Sequence, residues 1–104
     1  MVTPQPNYVK LDPEKTKKLR FDKWWWEDRQ ITDPKSRQPK TVRVMVFHVT
    51  QEDGQPVDTI FSVLAYKLQQ ILAPLIDTGQ MFTREIQITW YPRDYQTEYS
   101  VALV

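Results

Sequence analysis

The chain has 104 residues, no cysteine, 40% hydrophobic and 26% charged residues, so one domain with a modest core fits, a second does not, and wholesale disorder is excluded. No stretch approaches the roughly 18 apolar residues of a membrane span, no apolar signal-peptide core opens the chain, and disulfides and thiolate zinc sites cannot form; a cytoplasmic protein without a membrane partner is expected. Net charge is only +1, but residues 10–43 hold 11 basic and 6 acidic side chains (+5) whereas residues 44–104 hold 3 and 7 (−4), a polarity that suits a phosphate backbone better than a small neutral ligand.

Residues 1–14, with Pro4, Pro6 and Pro13, read as an extended arm, from which Tyr8 and Val9 can dock on a body spanning residues 15–104. A first strand follows at about residues 18–26 and ends in Trp24, Trp25 and Trp26. Strand side chains alternate, so these indoles cannot share a face. With Trp25 beside Leu19 and Phe21 in the core, Trp24 and Trp26 lie outside with Arg20. Exposed indoles beside cations are what base stacking needs, although the same cluster also suits a core or a protein contact.

The polar residues 27–40, carrying Asp33-Pro34 and Pro39, predict a mobile loop. A second strand at residues 41–50 alternates Val42, Val44 and Val46 with Arg43, Met45 and Phe47, and Val44 and Val46 are expected in the core with Leu19 and Phe21. An Asp53-Gly54 hairpin leads to a third strand at residues 57–63. Leu64, Leu68, Ile71, Leu72 and Leu75 then recur at helical spacing, with Ser62 as N-cap, a kink or end near Pro74 and a stop at Gly79. Two strands close the chain: one around the core residues Ile86 and Ile88, one alternating from Tyr95 through Thr97, Tyr99 and Val101 to Leu103, with a turn at Pro92-Arg93-Asp94.

The order β-β-β-α-β-β, all-β with one helix, predicts an oligonucleotide-binding (OB) fold, a five-stranded partly open Greek-key barrel that binds through the face of strands two and three and the loops joining strands one to two and four to five. Those loops carry Arg29, Lys35, Arg37 and Lys40, and Tyr91, Arg93 and Tyr95. The expected interface is thus Arg20, Trp24, Trp26, Arg29, Lys35, Arg37, Lys40, Arg43, Phe47, Tyr91, Arg93 and Tyr95, with rings for stacking and cations for phosphates.

Tyr8-Val9-Lys10-Leu11 leading into Leu19-Arg20-Phe21, the run Val44 to Val49, Ile60-Phe61-Ser62-Val63, Arg84 to Thr89 and Thr97-Glu98-Tyr99-Ser100-Val101 form a pattern over about residues 7–103. It resembles the small single-stranded DNA-binding OB-fold proteins of phages, archaea and archaeal viruses. The resemblance implies strand binding in DNA replication or a related process, in a host cytoplasm if the protein is viral. Two departures stand out. The turn Tyr91 to Tyr95 lacks the glycine often found before Thr-x-Tyr-x-Val in such phage proteins, and the ending Ser100-Val101-Ala102-Leu103-Val104 lacks the acidic tail by which bacterial-type relatives recruit partners.

Signals for catalysis are weak. His48 is the one histidine, with no cysteine and no nearby histidine to make a metal set; Glu52 and Asp53 flank a turn glycine; Ser36, Ser62 and Ser100 lack a nucleophile-elbow context; Gly54 and Gly79 cannot make a phosphate loop. No enzyme, cofactor or metal is expected. The rival is an interaction or oligomerisation module using the tryptophan patch as its interface, and a homo-oligomer is compatible with either reading. A duplex-binding regulator ranks last, because the single helix carries only Lys67 as a basic residue.

Overall fold

The computed structural model describes residues 9–93 and 97–104 and contains β1 (Thr16–Thr32), β2 (Pro39–Glu52), β3 (Gln55–Val63), α1 (Tyr66–Thr78), α2 (Gln80–Thr83), β4 (Ile86–Tyr91) and β5 (Glu98–Leu103). All five strands join one antiparallel sheet in the order β3-β2-β1-β4-β5. The expected barrel is not closed: β3 and β5 are the two edges. The expected helix is followed by a second, one-turn helix. Among the described residues no helix is long and apolar enough to cross a membrane.

The segment expected to be a loop at residues 27–40 is mostly strand. β1 runs to Thr32 and β2 starts at Pro39, paired from Glu27↔Val44 to Thr32↔Pro39. Only six residues turn the chain, held by the Arg37 N–H donating to the Asp33 carbonyl (2.7 Å) and the Lys35 N–H to the Asp33 carboxylate (2.8 Å). The Asp53-Gly54 hairpin forms as expected, with positive φ at both residues (50° and 84°), the geometry of a primed two-residue turn.

One core covers one face of the sheet. Leu19 and Phe21 of β1, Met45, Phe47 and Val49 of β2, Phe61 and Val63 of β3, and Ile86 and Ile88 of β4 meet Leu68 and Leu72 of α1 and Met81 of α2. Val44 and Val46 are fully buried, as expected from sequence, but alternation with Met45 and Phe47 turns them to the opposite face, apart from this cluster, where Val46 pairs with Trp25 on one side and Ser62 on the other. Both faces of β2 are apolar, so alternation by itself cannot say which is inner.

Residues 9–14 cross from one hairpin to the other. The Val9 N–H donates to the Ile60 carbonyl (2.7 Å), the Glu14 N–H to the Trp90 carbonyl (2.8 Å), and the Val9 side chain is buried in the core.

Helix α1 is preceded by Ala65, not capped by Ser62, which belongs to β3; the side chain of Gln69 instead ties the first turn down by donating to the carbonyls of Val63 (2.9 Å) and Arg43 (3.2 Å). Pro74 is accommodated inside the helix, and Gly79 ends it in the left-handed region (φ 79°) while starting α2. An added Cβ at Gly79 meets no atom within 4 Å, so a substitution there is strained only through the backbone. Gly79→Ala is expected to lower stability by about 1–2 kcal/mol, the left-handed penalty of an L-residue, measured as a lower urea midpoint with an unchanged slope.

Candidate nucleic-acid interface

The indoles are arranged by irregularities at the middle of the sheet. Between Arg20↔Gln51 and Phe21↔Val49, β2 has the extra residue Thr50; between Phe21↔Val49 and Lys23↔His48, β1 has the extra residue Asp22. On β3, Val57 and Asp58 together face the single step at Thr50. Each bulge bends its strand and changes the parity of the residues after it. After Asp22, Trp24 therefore returns to the face of Phe21, and the expected assignment of the three tryptophans is reversed: Trp24 and Trp26 lie on the inner face, Trp25 on the outer.

On the inner face Trp24 is half-buried against the core, with its ring 6.2 Å from that of Phe47, which in turn lies 5.1 Å from Phe21. Trp26 stands edge-on to Trp24 at 5.5 Å and is 40% exposed. The Arg43 guanidinium lies over the Trp26 ring, 5.0 Å from its centroid. Phe47, expected as a stacking ring, is wholly buried and cannot touch a ligand; its part is to support Trp24. Among the described residues, Trp26 is the one expected ring that combines exposure with an adjacent cation.

The outer face presents Trp25, half-buried, whose indole N–H donates to the Glu27 carboxylate (2.9 Å), as does the Arg29 guanidinium (3.1 Å). Together the indole and the guanidinium hold the Glu27 carboxyl below its ordinary range, the indole contributing most. Arg29 is thus already paired. On β1, Lys18, Arg20 and Lys23 are exposed on this same face; Lys23 joins it because the bulge inserts a residue. Sequence reasoning misses Trp25 and Lys23 as surface groups, and no local signal marks a bulge at Asp22.

Lys35 and Arg37 stand exposed in the six-residue turn and Lys40 on the adjoining strand opposite Ile31, so these cations occupy the far end of the β1–β2 ribbon from Trp26 and Arg43. Tyr91 and Arg93 end β4 and follow it, attached to the other hairpin; Tyr95 lies outside the described residues. The expected twelve residues therefore do not form one patch.

A groove of about 500 Å³ opens between the crossing segment and β3, lined by Val9, Leu11, Ile60, Phe61, Leu64 and Tyr99. Burial pushes the Tyr99 phenol above its usual pKa. Of the expected interface residues that the structure describes, only Arg29 lines it. Among the described residues no three His, Cys, Asp or Glu side chains are placed to hold a metal ion. No family model matches the chain, and searches of curated proteins and of solved structures likewise find no match.

Proposed function

We propose that the protein is a non-catalytic, OB-like binder of single-stranded nucleic acid, most plainly DNA, with little sequence preference. The observation that carries the reading is the exposed Trp26 ring, braced by Trp24 and covered by the Arg43 guanidinium, at the root of a ribbon bearing Lys35, Arg37 and Lys40. A base that stacks on Trp26 displaces Arg43 from the ring and leaves its charge free for the adjacent phosphate. The strand order supports the OB-like part, since β1 is shared between the two hairpins and the free edges β3 and β5 are the pair a closed barrel would join. Trp24 and Phe47 serve as the support of the stacking ring rather than as stacking rings.

Binding is tested by fluorescence titration with oligo(dT), duplex DNA and RNA of equal length. Log affinity for oligo(dT) is expected to fall with log salt at a slope of roughly −2 to −4, from about −0.7 for each phosphate neutralised on a single strand, and Arg37→Ala with Lys40→Ala flattens it. Binding absent at low salt, accompanied by self-association, would instead assign the exposed Trp26 and Ile31 side chains to an interface between protein chains.

A further inference from the structure

His48 lies on the outer face of β2, level with the bulges of both neighbouring strands. Its Nδ1 is 2.6 Å from an oxygen of Asp22, the extra residue of β1, and its Nε2 is 2.6 Å from an oxygen of Asp58, within the irregularity of β3. One imidazole thus ties three strands together where all three are bent.

The tie depends on a proton. An imidazolium has two N–H donors and satisfies both carboxylates with short, charge-assisted bonds. A neutral ring has one donor and one lone pair, so one carboxylate then faces a lone pair at a distance that only a shared proton makes favourable. Asp22 and Asp58 have side chains 50% and 92% exposed, so either can turn to water when the bond is lost. The remaining surroundings of the ring are simple. On β1 the cation Lys23 is its register partner, on β3 the partner is the apolar Ile60, and Val46 and Thr50, its same-face neighbours on β2, carry no charge.

We propose that Asp22, His48 and Asp58 form a proton-operated clasp that holds the β1 bulge and thereby keeps Trp24 and Trp26 on the inner face. The bulge sits two residues before Trp24, and a strand without it would carry Trp24 and Trp26 to the opposite side. Loosening the clasp releases the packing of Trp24 on Phe47 and, through Trp24, the orientation of Trp26. The consequence for nucleic-acid affinity rests on the function proposed above; the clasp is a property of the free protein.

The sign of the pH dependence is set by the pairing. Hydrogen bonds to Asp58 and then Asp22 raise the His48 pKa above its ordinary 6.5, despite some desolvation. The stabilisation is complete below about pH 6.5, the value for an unfolded chain, and fades as pH rises through the higher folded value.

Because His48 is the single histidine, its ring resonances can be followed by NMR without ambiguity, together with the indole N–H resonances of Trp24 and Trp26, from pH 5.5 to 9. The ring is expected to titrate above 6.5, with both indole resonances moving at the same midpoint. Asp58→Asn, a change at an exposed side chain, shifts both midpoints downward together, and His48→Gln abolishes the movement of the indoles. A ring that titrates at or below 6.5, or indoles that stay still while it titrates, overturns the clasp. Oligo(dT) affinity should weaken by about tenfold over the same interval, the loss of one modest base stack. A protein that binds no oligonucleotide at any pH defeats the proposed function, while the indole resonances still decide the clasp.

Discussion

Phe47→Ala is expected to destabilise the fold by roughly 3–5 kcal/mol, the range for truncating a buried aromatic, and to show the largest loss of any single substitution on β2. Phe47 is fully buried, and its ring neighbours both Phe21 (5.1 Å) and Trp24 (6.2 Å), so its removal leaves a void that rigid strands on either side cannot fill. The support of Trp24 goes with it. The measurement is equilibrium urea unfolding of the parent, Phe47→Ala and Phe47→Leu, the last retaining most of the apolar volume and most of the stability. A loss below about 1 kcal/mol for the alanine variant, the scale of a surface change, would contradict the packing of this strand. If the alanine variant does not fold, the leucine variant decides the matter, since a solvent-facing Phe47 would make that exchange neutral.

The three tryptophans are expected to divide by face. Trp24→Ala should cost about 2–3 kcal/mol of stability, less than a fully buried aromatic because part of its ring remains wet. Trp26→Ala should leave stability nearly unchanged while weakening oligo(dT) binding by roughly 1–3 kcal/mol, the worth of one base stack. Trp25→Ala should remove only the bond to Glu27 and some cover over Val46, a cost of about 1 kcal/mol, with a small effect on binding. Urea midpoints and fluorescence titrations on the same samples separate these outcomes. A Trp25 variant that loses most stability while the Trp24 variant loses none would mean that β1 carries no bulge at Asp22.

Much of the architecture is legible because it is written in local pattern. The alternation around Ile86 and Ile88, the Asp53-Gly54 turn with its two positive φ values and the helix stop at Gly79 each arise from a few adjacent residues. The strand pairing up to the Thr32–Pro39 connection is hidden for a physical reason: the distal half of the β1–β2 ribbon has little core beneath it, so its sequence is polar and the apolar alternation that reveals a strand is missing. The candidate site is half legible. Trp26 and Arg43 are identifiable by type and land together, whereas counting parity along the sequence places Phe47 on the surface and Trp25 in the core. The two errors differ in origin. Phe47 is misplaced because both faces of β2 are apolar and alternation alone does not say which is inner. Trp25 is misplaced because parity can be counted along a strand only while every residue has one partner, and Asp22 breaks that count through a long-range pairing that its own identity does not announce.

The length of β1 sets the mechanical character of the site. Of its 17 residues only Thr16 to Leu19 pair with β4, and the pairing of β2 with β3 stops at Met45↔Val63. Beyond Trp26 and Met45 the sheet is therefore two strands wide, tethered near its root by Gln69 reaching the Arg43 carbonyl. A strip this narrow bends easily out of its own plane and resists stretching along its length. The indole and its guanidinium sit at the clamped end of this cantilever, while Lys35 and Arg37 ride on the compliant end, so the charges can follow an irregular backbone without disturbing the ring on which a base would rest.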